Sequence, residues 1–229
     1  MADPDEQYID AWYAKGVTFS DLGKHQDAIN CMDKVLEISP MHGNAWTEKG
    51  NNLDNLGKPL EAIVCYDKAI EINPSDAEVW YNKGLTLKKI RKYKDAAECL
   101  YKAIERNPRH ENAWYHIGSV FDNIGETQDA IECYDRVLDI NPRYAGAWLN
   151  KSAIFGRQGK FTEAILCCDK TLELNPKDVG AWGNKGYALE ILGRNQEAIW
   201  CFKKFIEFAG PESASQVEQA KQIINELRE

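Results

Sequence analysis

Tryptophan stands at positions 12, 46, 80, 114, 148 and 182, an unbroken step of 34 residues through a chain of 229. Alanine keeps the same step at 28, 62, 96, 130, 164 and 198, and proline keeps it at 40, 74, 108, 142 and 176. Glycine holds 16, 50, 84, 118 and 186, with Ser152 in the one gap. A fixed period of this length marks a stack of like units, because a unit so small cannot bury its apolar face alone. Placing each tryptophan fourth divides the chain into 9–42, 43–76, 77–110, 111–144, 145–178 and 179–212, between an N-terminal segment 1–8 and a tail 213–229.

Within one period the apolar spacing is helical twice over. In 43–76, Ala45, Trp46, Leu53 and Leu56 share one helical face and "LGKP" interrupts; Ala62, Ile63, Tyr66, Ala69, Ile70 and Ile72 then form a second. Asn73-Pro74 ends it, since proline cannot continue the hydrogen-bond ladder and disfavours helix in the residue before it. Each period therefore reads as helix–turn–helix, with small residues at the glycine and alanine positions letting the two backbones approach. The tail sets Val217, Ala220, Ile224 and Leu227 on one helical face with polar residues opposite, which suits a capping helix over the last apolar surface.

Tryptophan fourth, glycine eighth, alanine twentieth and proline thirty-second resemble the tetratricopeptide repeat family, over residues 9 to 212. The resemblance implies an all-α, right-handed superhelical solenoid of antiparallel helix pairs, whose first helices line a concave groove. It implies a non-enzymatic scaffold that holds a peptide or partner protein there, without a cofactor. The alternative is a structural self-association unit or a fragment of a longer multidomain chain. Locally the pattern departs: the seventh position, usually leucine in the family, is Lys15, Lys49, Lys83, Lys151 and Lys185, with Ile117 the exception. A lysine stem can cover apolar surface while its ammonium reaches water, so this row reads as snorkelled packing.

Charge and composition exclude several functions. Asp and Glu outnumber Lys and Arg 36 to 28, a net charge of −8 that disfavours nucleic acid and anionic membrane. No apolar run is long enough to span a bilayer, and the acidic "MADPDEQYIDAW" does not read as a signal peptide. With seven cysteines the expectation is a reducing, cytoplasmic setting. Cys31, Cys65, Cys99, Cys133, Cys167 and Cys201 repeat with the period, too far apart for disulfides and without metal-ligand spacing, so they read as packing. Cys168 falls where other repeats carry Tyr66, Tyr134 or Phe202. Phosphate-loop, nucleophile-elbow and zinc-protease motifs are absent.

The positions that vary are those the family directs into its groove. The sixth reads Ala14, Glu48, Asn82, His116, Asn150 and Asn184, and a row of amides can hold an extended peptide by its backbone. That row is similar to the asparagine ladder of O-GlcNAc transferase, except in the first two repeats. Tyr81 and Tyr115 at the fifth position and Tyr187 at the ninth add contact area with polar tips. Leu149 with Ala153, Tyr187 and Ile191, beside the glycines at 146, 156, 180 and 183, suggests a hollow for one apolar side chain. "KKIRKYK" at 88–94 puts Lys88 and Lys89 on the groove side of a repeat with net charge +5, so an acidic segment is the expected partner near repeat 3. Arg91 there replaces a turn glycine. The lysine and asparagine set with which some family members clamp a chaperone's C-terminal carboxylate is missing, since no repeat has lysine at the fifth position.

Overall fold

The computed structural model describes residues 4–228; residues 1–3 of the N-terminal segment and Glu229 of the tail lie outside the described residues. Among the described residues there are thirteen α-helices and no strand. They are α1 (Pro4–Asp21), α2 (His25–Ile38), α3 (Gly43–Asn55), α4 (Pro59–Ile72), α5 (Ala77–Lys89), α6 (Tyr93–Arg106), α7 (Glu111–Ile124), α8 (Thr127–Ile140), α9 (Ala145–Arg157), α10 (Phe161–Leu174), α11 (Val179–Ile191), α12 (Asn195–Phe208) and α13 (Ala214–Glu226). No helix among the described residues is long and apolar enough to cross a membrane. The protein is an all-α solenoid of consecutively packed helix pairs, divided into compact units at residues 1–124 and 125–229.

In the first unit α1, α3, α5 and α7 touch one another along the stack, while α2, α4 and α6 meet only first helices. The first-helix face is thus the inner face of that unit. In the second unit α9 and α11 touch in the same way.

The turns follow from their residues. Gly57 adopts φ 74° and closes the end of α3, with Gly57 N–H bonded to Asp54 O and Lys58 N–H to Leu53 O. Arg91 makes the equivalent bonds after α5 at φ 60°, a left-handed conformation that costs a side-chain-bearing residue. Four second helices, α4, α6, α8 and α10, end at asparagines whose side chains accept from the backbone two residues on, as Asn73 does from Ser75 N at 3.2 Å. The tryptophan and proline periods have one cause. From Trp46 to Trp182, each periodic indole N–H donates to the carbonyl of the proline six residues before it, at 2.9 Å for Trp46 and Pro40, 3.0 Å for Trp80 and Pro74, and 3.0 Å for Trp182 and Pro176.

Close packing explains the glycine row and its gap. A Cβ on Gly50 would lie 2.6 Å from the Tyr66 ring, and one on Gly186 would lie 2.9 Å from the Phe202 ring. Where the facing residue is the small Cys168, the glycine is replaced by Ser152. All seven cysteines are free and buried, and burial pushes the thiols of Cys65, Cys99, Cys167 and Cys201 up to about 11 and those of Cys133 and Cys168 up to about 12. A thiol held protonated is a poor nucleophile and a poor metal ligand.

One expectation is corrected. Four of the seventh-position lysines do not end in water. Lys49 bonds Asp33 at 2.6 Å, Lys83 bonds Asp67 at 2.5 Å, Lys185 bonds Asp169 at 2.5 Å, and Lys151 bonds Asp135. Each aspartate lies on the preceding second helix, 16 residues earlier, so the pairs tie consecutive hairpins together. The exception obeys the same logic. Ile117 is fully buried and meets a chain that has Tyr101, not aspartate, 16 residues before it. At the other end, α13 buries Ala220 and Ile224 against Phe202 and Ile199 and turns glutamate, glutamine and lysine outward.

Candidate functional site

In the first unit, α5 and α7 bring four of the expected residues, Tyr81, Lys88, Tyr115 and His116, to one place. Tyr81 lies between two imidazoles, with ring centroids 4.6 Å from His110 and 5.9 Å from His116. Tyr115 meets His116 edge-on at 5.2 Å. The Lys88 ammonium lies 3.4 Å from His116 Nδ1 and forms no ion pair among the described residues. Burial, then Lys88, then His110 lower the His116 pKa to about 4, so its ring is neutral near pH 7 and Nδ1 accepts from Lys88. Burial likewise lowers the Lys88 pKa and raises that of Tyr81. His110, which the sequence did not mark, is buried; its Nδ1 accepts from Ala113 N at 3.4 Å. Its Nε2 lies 3.3 Å from Glu78 Oε1 without hydrogen-bond geometry.

Lys88 and Lys89, adjacent in sequence, are in different states. Lys89 is exposed and already held by Asp54 of α3, 3.1 Å from its carbonyl and 3.3 Å from its carboxylate. Of the two, Lys88 is the one whose ammonium has no counterion among the described residues. Toward α3 the inner face becomes acidic around a hollow of about 330 Å³ lined by Glu48, Asn51, Asp54 and Asn82. Burial and the nearby Asp21 raise the Glu48 carboxyl above its ordinary range, with Asn51 opposing.

The amide row is more committed than the sequence implied. Asn82 Nδ2 donates to Asn51 Oδ1 at 3.2 Å, Asn150 Nδ2 to Tyr134 Oη at 3.1 Å, and Asn184 Nδ2 to Ser152 Oγ at 3.0 Å. Each amide therefore spends a donor hydrogen on a neighbouring helix, which fixes its orientation.

In the second unit the apolar hollow differs from the one expected. Leu149 packs against α11, its methyl carbons 3.4 and 3.5 Å from where a Gly180 Cβ would stand, and Ile191 is half exposed. Neither lines the two hollows found here. Tyr187, 53% exposed, separates them. One, of about 460 Å³, lies toward α9 between Ser152, Ala153, Gly156 and Asn184. The other, of about 200 Å³, is apolar and lies under α13, between Gly183, Phe202, Phe205 and Ile223. The contribution of α13 had no repeat equivalent from which to be read. Among the described residues no group of three or more His, Cys, Asp or Glu could hold a metal ion.

Comparison with known proteins gives one consistent result. Family models described as tetratricopeptide repeat match residues 9–42 and 145–178, 77–110 and 111–144, and 167–199, and one described as TPR repeat matches 55–90. No curated protein matches the chain. Among solved structures, MamA is 28% identical with a TM-score of 0.67, over 71% of this chain and 95% of that one. The pilF protein of Pseudomonas aeruginosa is 16% identical with a TM-score of 0.82, over 96% and 99%. YrrB, described as a TPR protein with an unusual peptide-binding site, is 20% identical with a TM-score of 0.68, over 83% and 97%.

Proposed function

Because this chain belongs to the tetratricopeptide repeat family, a family of protein–protein interaction scaffolds, we propose that it holds an extended, acidic segment of a partner protein against its first helices. The observation that carries this reading is Lys88. A half-buried ammonium with only a neutral imidazole beside it is costly, and a ligand carboxylate would supply the missing counterion. Tyr81 and Tyr115 would flank the segment, and Asn82 would take its backbone N–H through the amide oxygen. In the second unit Asn150 and Asn184 would do the same, with Tyr187 beside an anchoring side chain. The acidic stretch at Glu48 and Asp54 would repel a carboxylate and so set the direction in which the segment runs. The six-repeat partition, the capping role of α13, the absence of catalysis and a cytoplasmic setting belong to the same reading.

A random-peptide display library selected on the protein tests it. Enrichment of sequences carrying Asp or Glu is expected, and Lys88→Ala should weaken the selected peptide about tenfold. Lys89→Ala, which removes a cation already neutralised by Asp54, should change affinity little. Selection without acidic enrichment, or equal losses from both lysines, refutes the reading.

A further inference from the structure

The two ends of the stack are built differently. At the C-terminal end α13 presents Gln219, Lys221, Gln222 and Glu226 to solvent, as a terminal cover should. At the N-terminal end α1 presents interior-type residues instead. Ala11, Lys15 and Thr18 fall on one helical face, and all three are exposed. Their counterparts along the chain are enclosed. Ala45, Val79, Ala113, Ala147 and Ala181 are at most 2% exposed, and so are Asn52, Thr86, Val120, Ile154 and Ala188. Four of the five counterparts of Lys15 are lysines that grip an aspartate of the preceding hairpin, with side chains 11 to 23% exposed. Lys15 makes no ion pair among the described residues. Its ammonium rests 4.6 Å from the Trp12 ring and 5.7 Å from that of Phe19.

We propose that this face of α1 is a docking surface for an amphipathic helix of a partner protein, one that presents an aspartate to Lys15. The chain itself specifies the ligand's chemistry, because it makes the same contact at four interfaces. The covering helix offers an aliphatic residue, an aspartate four later and a second aliphatic residue three beyond that. Ile29, Asp33 and Leu36 do this for α3; Ile63, Asp67 and Ile70 for α5; Ile131, Asp135 and Leu138 for α9; and Ile165, Asp169 and Leu172 for α11. The spacing places all three on one side of a helix. A second copy of this chain is the wrong occupant. Its last hairpin carries Lys203 where four of the others carry aspartate, and α13 lies beyond it. This inference is independent of the groove reading, since Lys15 and Lys88 belong to different surfaces.

The probe is a fluorescent peptide of residues 25–42, its helix held by a hydrocarbon staple replacing the exposed Gln26 and Asn30. Its anisotropy is followed on titration with the whole protein. Saturable binding is expected. Lys15→Asp in the protein, or Asp33→Lys in the peptide, should each weaken it at least about tenfold. Combining the two reversed charges should restore affinity to within about threefold of the starting pair. Thr18→Arg, which fills the same face, should abolish binding with Lys15 intact. Lys15 and Thr18 are exposed, so an unchanged circular dichroism spectrum and melting curve confirm folded variants. Failure to saturate, indifference to either charge, or a crossed pair that does not recover would each overturn the proposal.

Discussion

Removing one partner of an inter-hairpin ion pair should cost more than removing the other, and the pair between Lys83 and Asp67 is suited to show it. The ammonium and carboxylate are 2.5 Å apart, with side chains 18% and 47% exposed. In a water-like dielectric Coulomb's law gives roughly 1.5–2 kcal/mol at that distance, and the net value is less because both groups lose hydration. Lys83→Met keeps the apolar stem and leaves a carboxylate that can rehydrate, so the loss should be at most about 0.5 kcal/mol. Asp67→Ala leaves an ammonium with little access to water, and its loss should be about 1–2 kcal/mol. The double variant should match Lys83→Met within about 0.5 kcal/mol, because no charge is then stranded. Buried Ile117, with Tyr101 16 residues before it, is the chain's own example of the uncharged solution. Urea unfolding followed by circular dichroism at 222 nm, in low and high salt, measures all three. Equal losses from the two single variants, or no loss from Asp67→Ala, would refute the assignment of the cost to the stranded ammonium.

Arg91→Gly should stabilise the protein by about 0.5–1 kcal/mol, read as a raised urea midpoint, because glycine removes the left-handed strain at φ 60°. His116 gives a pH signature. Its pKa is lowered from 6.5 to about 4, so between those values the unfolded chain binds the extra proton and stability falls as pH drops from 6.5 toward 4. The contribution is on the order of 2–3 kcal/mol, and His116→Gln should flatten that part of the urea-midpoint profile. The buried, protonated thiols should resist a thiol-specific disulfide reagent at pH 8 in the folded protein, and all seven should react in denaturant.

What could be read from the sequence was what repeats with a fixed partner. Helix ends, turns and the small residues between hairpin arms recur every 34 residues and need only local physics, so the all-α solenoid was legible. The amide row was legible as a row, but its chemistry was not. Asn82, Asn150 and Asn184 donate to an asparagine, a tyrosine and a serine, three different acceptors on neighbouring helices that no single spacing predicts. Lys88 and Lys89 look alike in "KKIRKYK", and only the position of Asp54, 35 residues before Lys89, separates a satisfied cation from an unsatisfied one.

The lysine row hides its chemistry for a different reason: each paired aspartate stands 16 residues earlier, on another helix. The signal that reveals it lies in the exceptions. Where the lysine becomes Ile117 the aspartate becomes Tyr101, and where the glycine becomes Ser152 the facing aromatic becomes Cys168. A repeat protein supplies its own internal comparison, since paired departures from the period identify residues that touch across the fold. By that standard Lys15 is the informative anomaly. It keeps the lysine of the interior repeats although no second helix lies before it among the described residues, on a face whose counterparts elsewhere are buried. A residue conforming to an interface it does not form is better explained by a missing neighbour than by solvent.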